Sequence, residues 1–216
     1  MKALYKLEFE EEIISFKKIA KLYEKIYNNI DRDINKFTIN GIDFNNFKGD
    51  ITKNINWTWI INDLGLKFFS EFMIEIELLN NLKLIYNNEF HIIGISFITV
   101  NTQEIKETDT DFHYDILSQC DISNKTNILT VLIPLKIEEG MGGLEYYLDS
   151  EIHNCKYKIG EYYTFDSSKL KHRTEPFKLD IKKKRVLISI NLSSSQSWAV
   201  EDAKRSTYYQ GNYLSK

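Results

Sequence analysis

Apolar positions in the first third of the chain recur at helical spacing. Over residues 8–30 apolar side chains fall three or four positions apart, which is typical of an amphipathic helix. The same spacing, rich in phenylalanine and leucine, predicts a second helix over 66–86. The polar stretch between these two segments is broken by glycines and indicates a short strand near 37–42.

After residue 91 the pattern changes to short β-branched runs separated by Gly, Asp and Lys. The predicted strands are 92–100, 127–135, 156–159, 162–165 and 185–192. Helices followed by repeated strands predict an α+β fold, with N-terminal helices packed against a double-stranded β-helix, the cupin-like jelly roll. We expect one domain over 1–216, with helical support in 1–90, the jelly-roll core in 91–192 and a polar C-terminal tail in 193–216.

Composition narrows the class of protein. With 216 residues and 43% hydrophobic content the chain can bury a sizeable core. The 28 basic and 31 acidic side chains give a net charge of −3, which argues against a nucleic-acid partner. No long apolar run or secretory h-region occurs, so we expect no membrane partner and a cytoplasmic location. Two cysteines, Cys120 and Cys155, indicate no disulfide framework.

Candidate chemistry concentrates in Asp111-Phe112-His113-Tyr114-Asp115. On an extended segment alternate side chains share a face, so His113 and Asp115 can point into one cavity. A second imidazole from elsewhere completes the two-histidine, one-carboxylate set that holds non-haem Fe(II) and leaves coordination positions open. His172 lies in a later strand-like segment, and Arg185 opens the apolar run that follows it.

The order HxD, distant His, then Arg resembles the Fe(II)/2-oxoglutarate-dependent dioxygenases. The Thr130 to Leu135 strand and the Gly142-Gly143-Leu144 turn stand where such proteins have similar elements. The resemblance implies that His113, Asp115 and His172 ligate Fe(II).

It also implies that Arg185 pairs with the far carboxylate of the co-substrate 2-oxoglutarate, a task suited to a guanidinium fork. The implied reaction uses O2, releases succinate and CO2, and hydroxylates a small metabolite or amino-acid-like substrate. Halogenating relatives carry a small residue at the position of Asp115, so the carboxylate favours hydroxylation.

One position departs from the family pattern. Relatives often have Ser or Thr two residues after the Arg, where this chain has Leu187. Thr130 and Ser189 are therefore the candidates for a hydroxyl contact to the co-substrate. Strand alternation places Arg185, Leu187, Ser189 and Asn191 on one face.

Plainer interpretations stand beside these assignments. His113 and Asp115 could form a surface pair, His172 could lie in an exposed basic turn, and Arg185 could end a solvated Lys-rich hairpin. Three further candidate sites are considered. An acidic calcium-type site would use Asp109, Asp111, His113 and Asp115, and a zinc site would use His153, Cys155 and Cys120. Cys120 could also act as a nucleophile.

Three functions other than small-molecule hydroxylation also remain open. One is a non-catalytic cupin-like binding module, and another is a hydroxylase of a peptide or protein side chain. The third is a metal enzyme that uses oxygen without a keto acid. The oligomeric state is not indicated by the sequence.

Overall fold

The computed structural model describes residues 3–30, 35–48, 55–116 and 125–212, apart from the side chains of 28–30. These ranges hold four α-helices and eleven strands. The helices are α1 Ile14–Ile30, α2 Asp63–Glu75, α3 Leu78–Tyr86 and α4 Ser197–Tyr209. The strands are β1 Leu4–Glu8, β2 Lys36–Ile39, β3 Ile42–Lys48, β4 Ile55–Ile60, β5 His91–Ile105, β6 Ile128–Lys136, β7 Leu144–Leu148, β8 Glu151–Cys155, β9 Glu161–Asp166, β10 His172–Thr174 and β11 Phe177–Ser193.

The strands form two antiparallel sheets. The major sheet has the order β1-β9-β6-β11-β5-β4-β3-β2, and the minor sheet has the order β10-β7-β8. Apolar side chains of both sheets, among them Leu132 and Leu187 from the major sheet and Leu144 from the minor sheet, pack into one cluster between them. The two sheets therefore face each other, as in a jelly roll.

Helices α1, α2 and α3 cover the outer face of the major sheet. Ile19 and Ile26 of α1 and Phe69 of α2 join one large core with strand residues such as Phe97 and Ile188. The hydroxyl of Tyr23 lies 2.9 Å from that of Thr99 and adds a polar contact between α1 and β5. The predicted packing of N-terminal helices against the sheet is therefore present. No helix in the described ranges has the length and apolar character needed to cross a bilayer.

The helix predicted over 66–86 is two helices. α2 begins earlier than predicted because the side chain of Asn62 accepts a hydrogen bond from the Gly65 amide at 3.0 Å and caps it. Glu77 has φ of 51°, in the left-handed region, and this residue separates α2 from α3. The chain has no Gly or Pro at this break, so the sequence pattern gave no sign of it.

Three strands in the first 90 residues, β1, β3 and β4, were not predicted. The expected strand near 37–42 is the β2–β3 hairpin, whose Asn40 and Gly41 have φ of 53° and 79° at the turn. The strand β4 then pairs with β5, and β1, which is an edge of the major sheet, pairs with β9. The N-terminal part was expected to be mainly helical, but it also contributes strands that widen the major sheet.

The segment predicted to be a polar tail contains helix α4. Ala199 and Ala203 of α4 are fully buried and pack in one cluster with Ile116 and Ile128. Just beyond α4, the side-chain amide of Asn212 donates to the Ile93 carbonyl at 3.1 Å. A β-bulge lies at this point, because Asn191 of β11 pairs with Gly94 whereas Leu192 pairs with Ile92.

A substitution at Gly94 tests how α4 is held. A Cβ there would lie 2.3 Å from Asn212 Nδ2 and 2.9 Å from Trp59 Cζ3. We expect Gly94→Ala to lower the free energy of unfolding by about 1–3 kcal/mol, as overpacking does, and to speed proteolysis at the C-terminal end. Urea denaturation and limited proteolysis measure both effects. In the Gly94→Ala/Asn212→Ala double variant part of the clash is removed. The losses in free energy of unfolding caused by the two substitutions should therefore be less than additive, and strict additivity would contradict this packing.

Candidate active site

Two backbone hydrogen bonds bring the histidines together. The His113 amide donates to the His172 carbonyl and the His172 amide donates to the His113 carbonyl, each at 2.9 Å. This isolated antiparallel bridge ties the segment around His113 to β10. The two imidazole rings consequently lie with their centroids 4.8 Å apart.

Backbone carbonyls orient both rings. Nδ1 of His113 lies 2.8 Å from the Asp111 carbonyl oxygen, and Nδ1 of His172 lies 3.0 Å from that of Leu170. Since a carbonyl oxygen only accepts, each Nδ1 carries a proton, and Nε2 is the atom of each ring that can bind a metal when it is deprotonated. The Nε2 atoms lie 3.8 Å and 3.3 Å from Oδ1 of Asp115.

The carboxylate of Asp115 is held by hydroxyl groups on its other side. Thr130 donates to Oδ2 at 2.6 Å, and the Thr130 and Ser167 hydroxyls lie 2.8 Å apart. Burial alone raises the pKa of Asp115, but the charge and hydrogen bond of His172, together with His113 and Thr130, outweigh it and lower the pKa to about 2. Asp115 is therefore ionised at neutral pH and able to act as a ligand.

The donor set suits a divalent metal ion. One ligand atom from each of His113, Asp115 and His172 can be chosen so that all lie within 4.8 Å of one another, and this is the triad that the described ranges offer for a metal. Two neutral imidazoles and one carboxylate match the ligands of non-haem Fe(II), and the carbonyl and hydroxyl partners hold them in place. His172 is buried whereas His113 is exposed, so the triad is open on one side.

Arg185 is buried without an ion-pair partner among the described residues. It is 2% exposed, and its Nη1 donates to the carbonyls of Gly142 and Gly143. Nη2 lies 3.4 Å from the Thr174 hydroxyl, and Nε has no hydrogen-bond partner in the described ranges. Burial lowers the pKa of the guanidinium. A buried cation without a carboxylate is costly, so this position is prepared for an anionic ligand.

One cavity of about 390 Å³ joins the triad to Arg185. This volume is typical of small-molecule sites, which span roughly 300–1,000 Å³. Arg185, Leu187, Ser189 and Asn191 all line the cavity, as the alternation along the strand predicts. The other lining residues are Phe47, Ile55, Trp57, Trp59, Ser96, Ile98, Thr110, Asp111, His113, Asp115, Ile116, Thr130, Leu132, Leu144, Tyr157, Phe165, His172, Thr174, Ser206, Thr207 and Gln210.

The two hydroxyl candidates have different surroundings. Thr130 gives its proton to Asp115, so its contact in this structure is with a candidate ligand and not with the co-substrate position. Ser189 lies on the cavity wall between Leu187 and Asn191 and stays a candidate for the co-substrate contact. The basic-turn interpretation of His172 and the hairpin-tip interpretation of Arg185 are wrong, because these side chains are only 6% and 2% exposed.

Among the described residues the remaining alternatives are not assembled. Asp109 accepts from the Lys106 amide at 2.8 Å, and neither Asp109 nor Asp111 belongs to the group of ligands formed by the triad. His153 stacks on Tyr146 with ring centroids 5.6 Å apart, and burial raises the pKa of the Cys155 thiol to about 11, which disfavours a zinc thiolate. Cys120 lies outside the described residues.

Sequence reasoning missed several residues that the fold brings to the cavity or to the hydroxyl that holds Asp115. The Tyr157 ring lies 5.3 Å from the Arg185 guanidinium, and burial raises the pKa of its hydroxyl. Ser167 joins the hydrogen bonds of Thr130, while Trp59 of β4 and Gln210 after α4 line the far wall. No local motif marks these positions. For Ser167, the nearest signal in the sequence was the Asp-Ser stretch that precedes His172.

No protein-family model matches the sequence, and no curated protein matches it. Solved structures do match. They include HygX from Streptomyces hygroscopicus with nickel and 2-oxoglutarate bound, at TM-score 0.56 and 10% identity, covering 89% of this chain and 83% of that one. A prolyl-4-hydroxylase from Pseudomonas putida matches at TM-score 0.53 and 11% identity over 90% and 94% of the two chains.

The α-ketoglutarate-dependent non-heme epimerase SnoN from nogalamycin biosynthesis is also similar, at TM-score 0.58 and 8% identity over 89% and 78% of the two chains. These matches show that the chain has the fold of the 2-oxoglutarate-dependent non-haem oxygenases. The predicted jelly roll with packed N-terminal helices is therefore confirmed. The resemblance inferred from the order HxD, His and Arg is confirmed at the level of the fold.

Removing the Thr130 hydroxyl tests the support of Asp115. We expect Thr130→Val to weaken Ni(II) binding by roughly 10- to 100-fold, as loss of a ligand-orienting partner does. Isothermal titration calorimetry measures the affinity. Thr164→Val is the matched control, because Thr164 is equally buried on β9 but contacts Tyr86 and not the triad. Equal affinities in both variants would show that Thr130 does not support a metal ligand.

Proposed function

We propose that the chain is an Fe(II)- and 2-oxoglutarate-dependent oxygenase that hydroxylates a small molecule. The observation that carries the proposal is the buried, uncompensated guanidinium of Arg185 in the same cavity as the His113, Asp115 and His172 triad. One end of this cavity suits a divalent metal and the other end suits a carboxylate. A dicarboxylic keto acid is the co-substrate that uses both ends.

The residues have separate tasks in this proposal. His113, Asp115 and His172 would hold Fe(II), and Thr130 fixes the orientation of the Asp115 carboxylate. Arg185 would bind the far carboxylate of 2-oxoglutarate through a charged hydrogen bond, with Ser189 a further candidate for a contact along the wall. The apolar wall of Leu132, Leu144 and Leu187 excludes water around the co-substrate.

Bound Fe(II) and 2-oxoglutarate supply the oxidising chemistry, in which O2 converts 2-oxoglutarate to succinate and CO2 and the second oxygen atom enters a substrate C–H bond. The protein orients the reactants and shields them from solvent. Structures of HygX and SnoN with hygromycin B and nogalamycin RO support a small-molecule substrate. A peptide substrate is the alternative that the prolyl-4-hydroxylase match keeps open.

Succinate release tests the oxygenase proposal. Wild-type protein with Fe(II), O2 and 2-oxoglutarate should release succinate, and His113→Ala/Asp115→Ala should lower the rate by roughly 100-fold or more through loss of metal ligands. Mass spectrometry of succinate gives the rate. His153→Ala is the matched control, since His153 stacks on Tyr146 outside the cavity. Absence of both iron binding and turnover would favour a cupin-like binding module.

The role of Arg185 is tested separately. Arg185→Gln removes the charge and should raise the Kd of 2-oxoglutarate about 30-fold or more, the cost of truncating a buried charge pair. Calorimetric titration of the Ni(II)-loaded protein measures this Kd. Lys184→Gln is the neighbouring control, because Lys184 stacks on Tyr27 of α1 and does not line the cavity. Full oxidation activity in Arg185→Gln would favour an oxygen-using metal enzyme without a keto acid.

A further inference from the structure

Part of the cavity is lined by residues of β3, β4, β5, β11 and the C-terminal helix and its end. We define the α4 compartment as the part of the cavity lined by Phe47, Trp59, Ser96, Asn191, Ser206 and Gln210. Asn191 pairs with Thr130 across β11 and β6, so the compartment adjoins the residue that holds Asp115. A molecule bound there lies next to the candidate metal.

The α4 compartment is separate from the position of the anion. The contacts of Arg185 are with Gly142, Gly143, Thr174 and Tyr157, all on the side of the minor sheet. Trp59 lies on β4, two strands from β11, which corresponds to roughly 10 Å across the sheet. The co-substrate and the second molecule therefore occupy different sides of the cavity.

Two buried polar groups in the α4 compartment have no hydrogen-bond partner among the described residues. Trp59 is 1% exposed and Ser96 is 0% exposed. The Trp59 Nε1 and the Ser96 Oγ form no hydrogen bond within the described ranges. They are directly opposite each other in the β4–β5 register, and Ser96 is opposite Ser189 in turn. Unpaired buried donors are unfavourable, so an apolar ligand would leave this row unsatisfied.

The α4 compartment also carries no charge. Its walls are aromatic rings, hydroxyls and amides, while the ionisable residues of the cavity lie at the triad, at its rim and around Arg185. A charged ligand group placed here would lose its hydration without gaining a counter-ion. The side-chain amides of Asn191 and Gln210 each donate and accept, as alcohol groups do.

From this geometry we infer that the α4 compartment binds an uncharged, hydroxyl-bearing ring compound, of the type of a sugar or a cyclitol, as the substrate to be oxidised. Its C–H face would stack on Phe47 and Trp59, and its hydroxyl groups would meet Ser96, Asn191 and Gln210. The inference rests on the proposed function and specifies its substrate class.

Binding to the Ni(II)- and 2-oxoglutarate-loaded protein tests the inference without turnover. The neutral probes are methyl β-glucoside, sucrose and myo-inositol; the competing classes are represented by L-lysine, L-glutamate and a Pro-Pro-Gly peptide. Isothermal titration calorimetry gives the Kd, and succinate release with Fe(II) gives the coupling to turnover. At least one neutral probe should bind more tightly than every charged or peptide probe and stimulate succinate release. Tighter binding of the charged amino acids or the peptide, or no response to the neutral probes, would overturn the inference.

Conservative variants locate the bound probe. Trp59→Phe keeps the ring but removes the N–H, and Ser96→Ala removes the hydroxyl; each should raise the Kd of the responding probe roughly three- to tenfold, the effect of one lost hydrogen bond. The matched controls are Trp198→Phe and Ser193→Ala. Trp198 packs outside the cavity, and Ser193 carries another buried, unpaired hydroxyl that does not line it.

The control variants should keep the Kd within twofold of wild type, and thermal melts establish that all four variants are folded. Equal effects in the Trp59, Ser96 and control variants would place the probe elsewhere and overturn the inference. Failure of 2-oxoglutarate itself to bind the wild-type protein would overturn the proposed function, and the affinities of the probes for the metal-loaded protein alone would still decide the ligand class.

Discussion

The backbone bridge between His113 and His172 is the interaction on which the site depends. Two hydrogen bonds of 2.9 Å join a segment outside the regular sheets to a strand of only three residues. Through them one imidazole is fixed relative to the other, and Asp115 follows two residues later on the same face. The other contacts that orient the triad come from nearby groups. Two backbone carbonyls orient the imidazole rings, and a pair of hydroxyls orients the Asp115 carboxylate.

The long apolar strands and the packed helices could be predicted because their patterns are local. The strand predicted over 127–135 is observed as Ile128–Lys136, and helix α1 follows the spacing of its apolar face. The strand β3 escaped prediction because Ile42–Lys48 is rich in polar residues and lacks regular alternation. The strand β4 escaped because it is a run of only six residues. Helix α4 escaped because its contacts rest on small residues such as Ala199 and Ala203 and not on an apolar stripe.

The residues of the candidate site also divide into those that could be predicted from the sequence and those that could not. The HxD segment, His172 and Arg185 are recognisable because they occur in a fixed order along the chain. Tyr157 and Trp59 line the cavity and Ser167 contacts Thr130, at positions that no short motif marks. Thr130 was a candidate for a hydroxyl contact to the co-substrate, whereas in the folded chain its proton is directed at Asp115.

The β-bulge at Ile93 lies where helix α4 is attached. One extra residue in β5 turns a carbonyl toward Asn212 and seats α4 against the major sheet, while the triad and Arg185 draw their contacts from the minor sheet and the central strands. The last stretch of the described chain supplies Ser206 and Gln210 to the wall of the α4 compartment. Exchange of this C-terminal helix would therefore change that part of the wall and leave the triad and Arg185 unaltered.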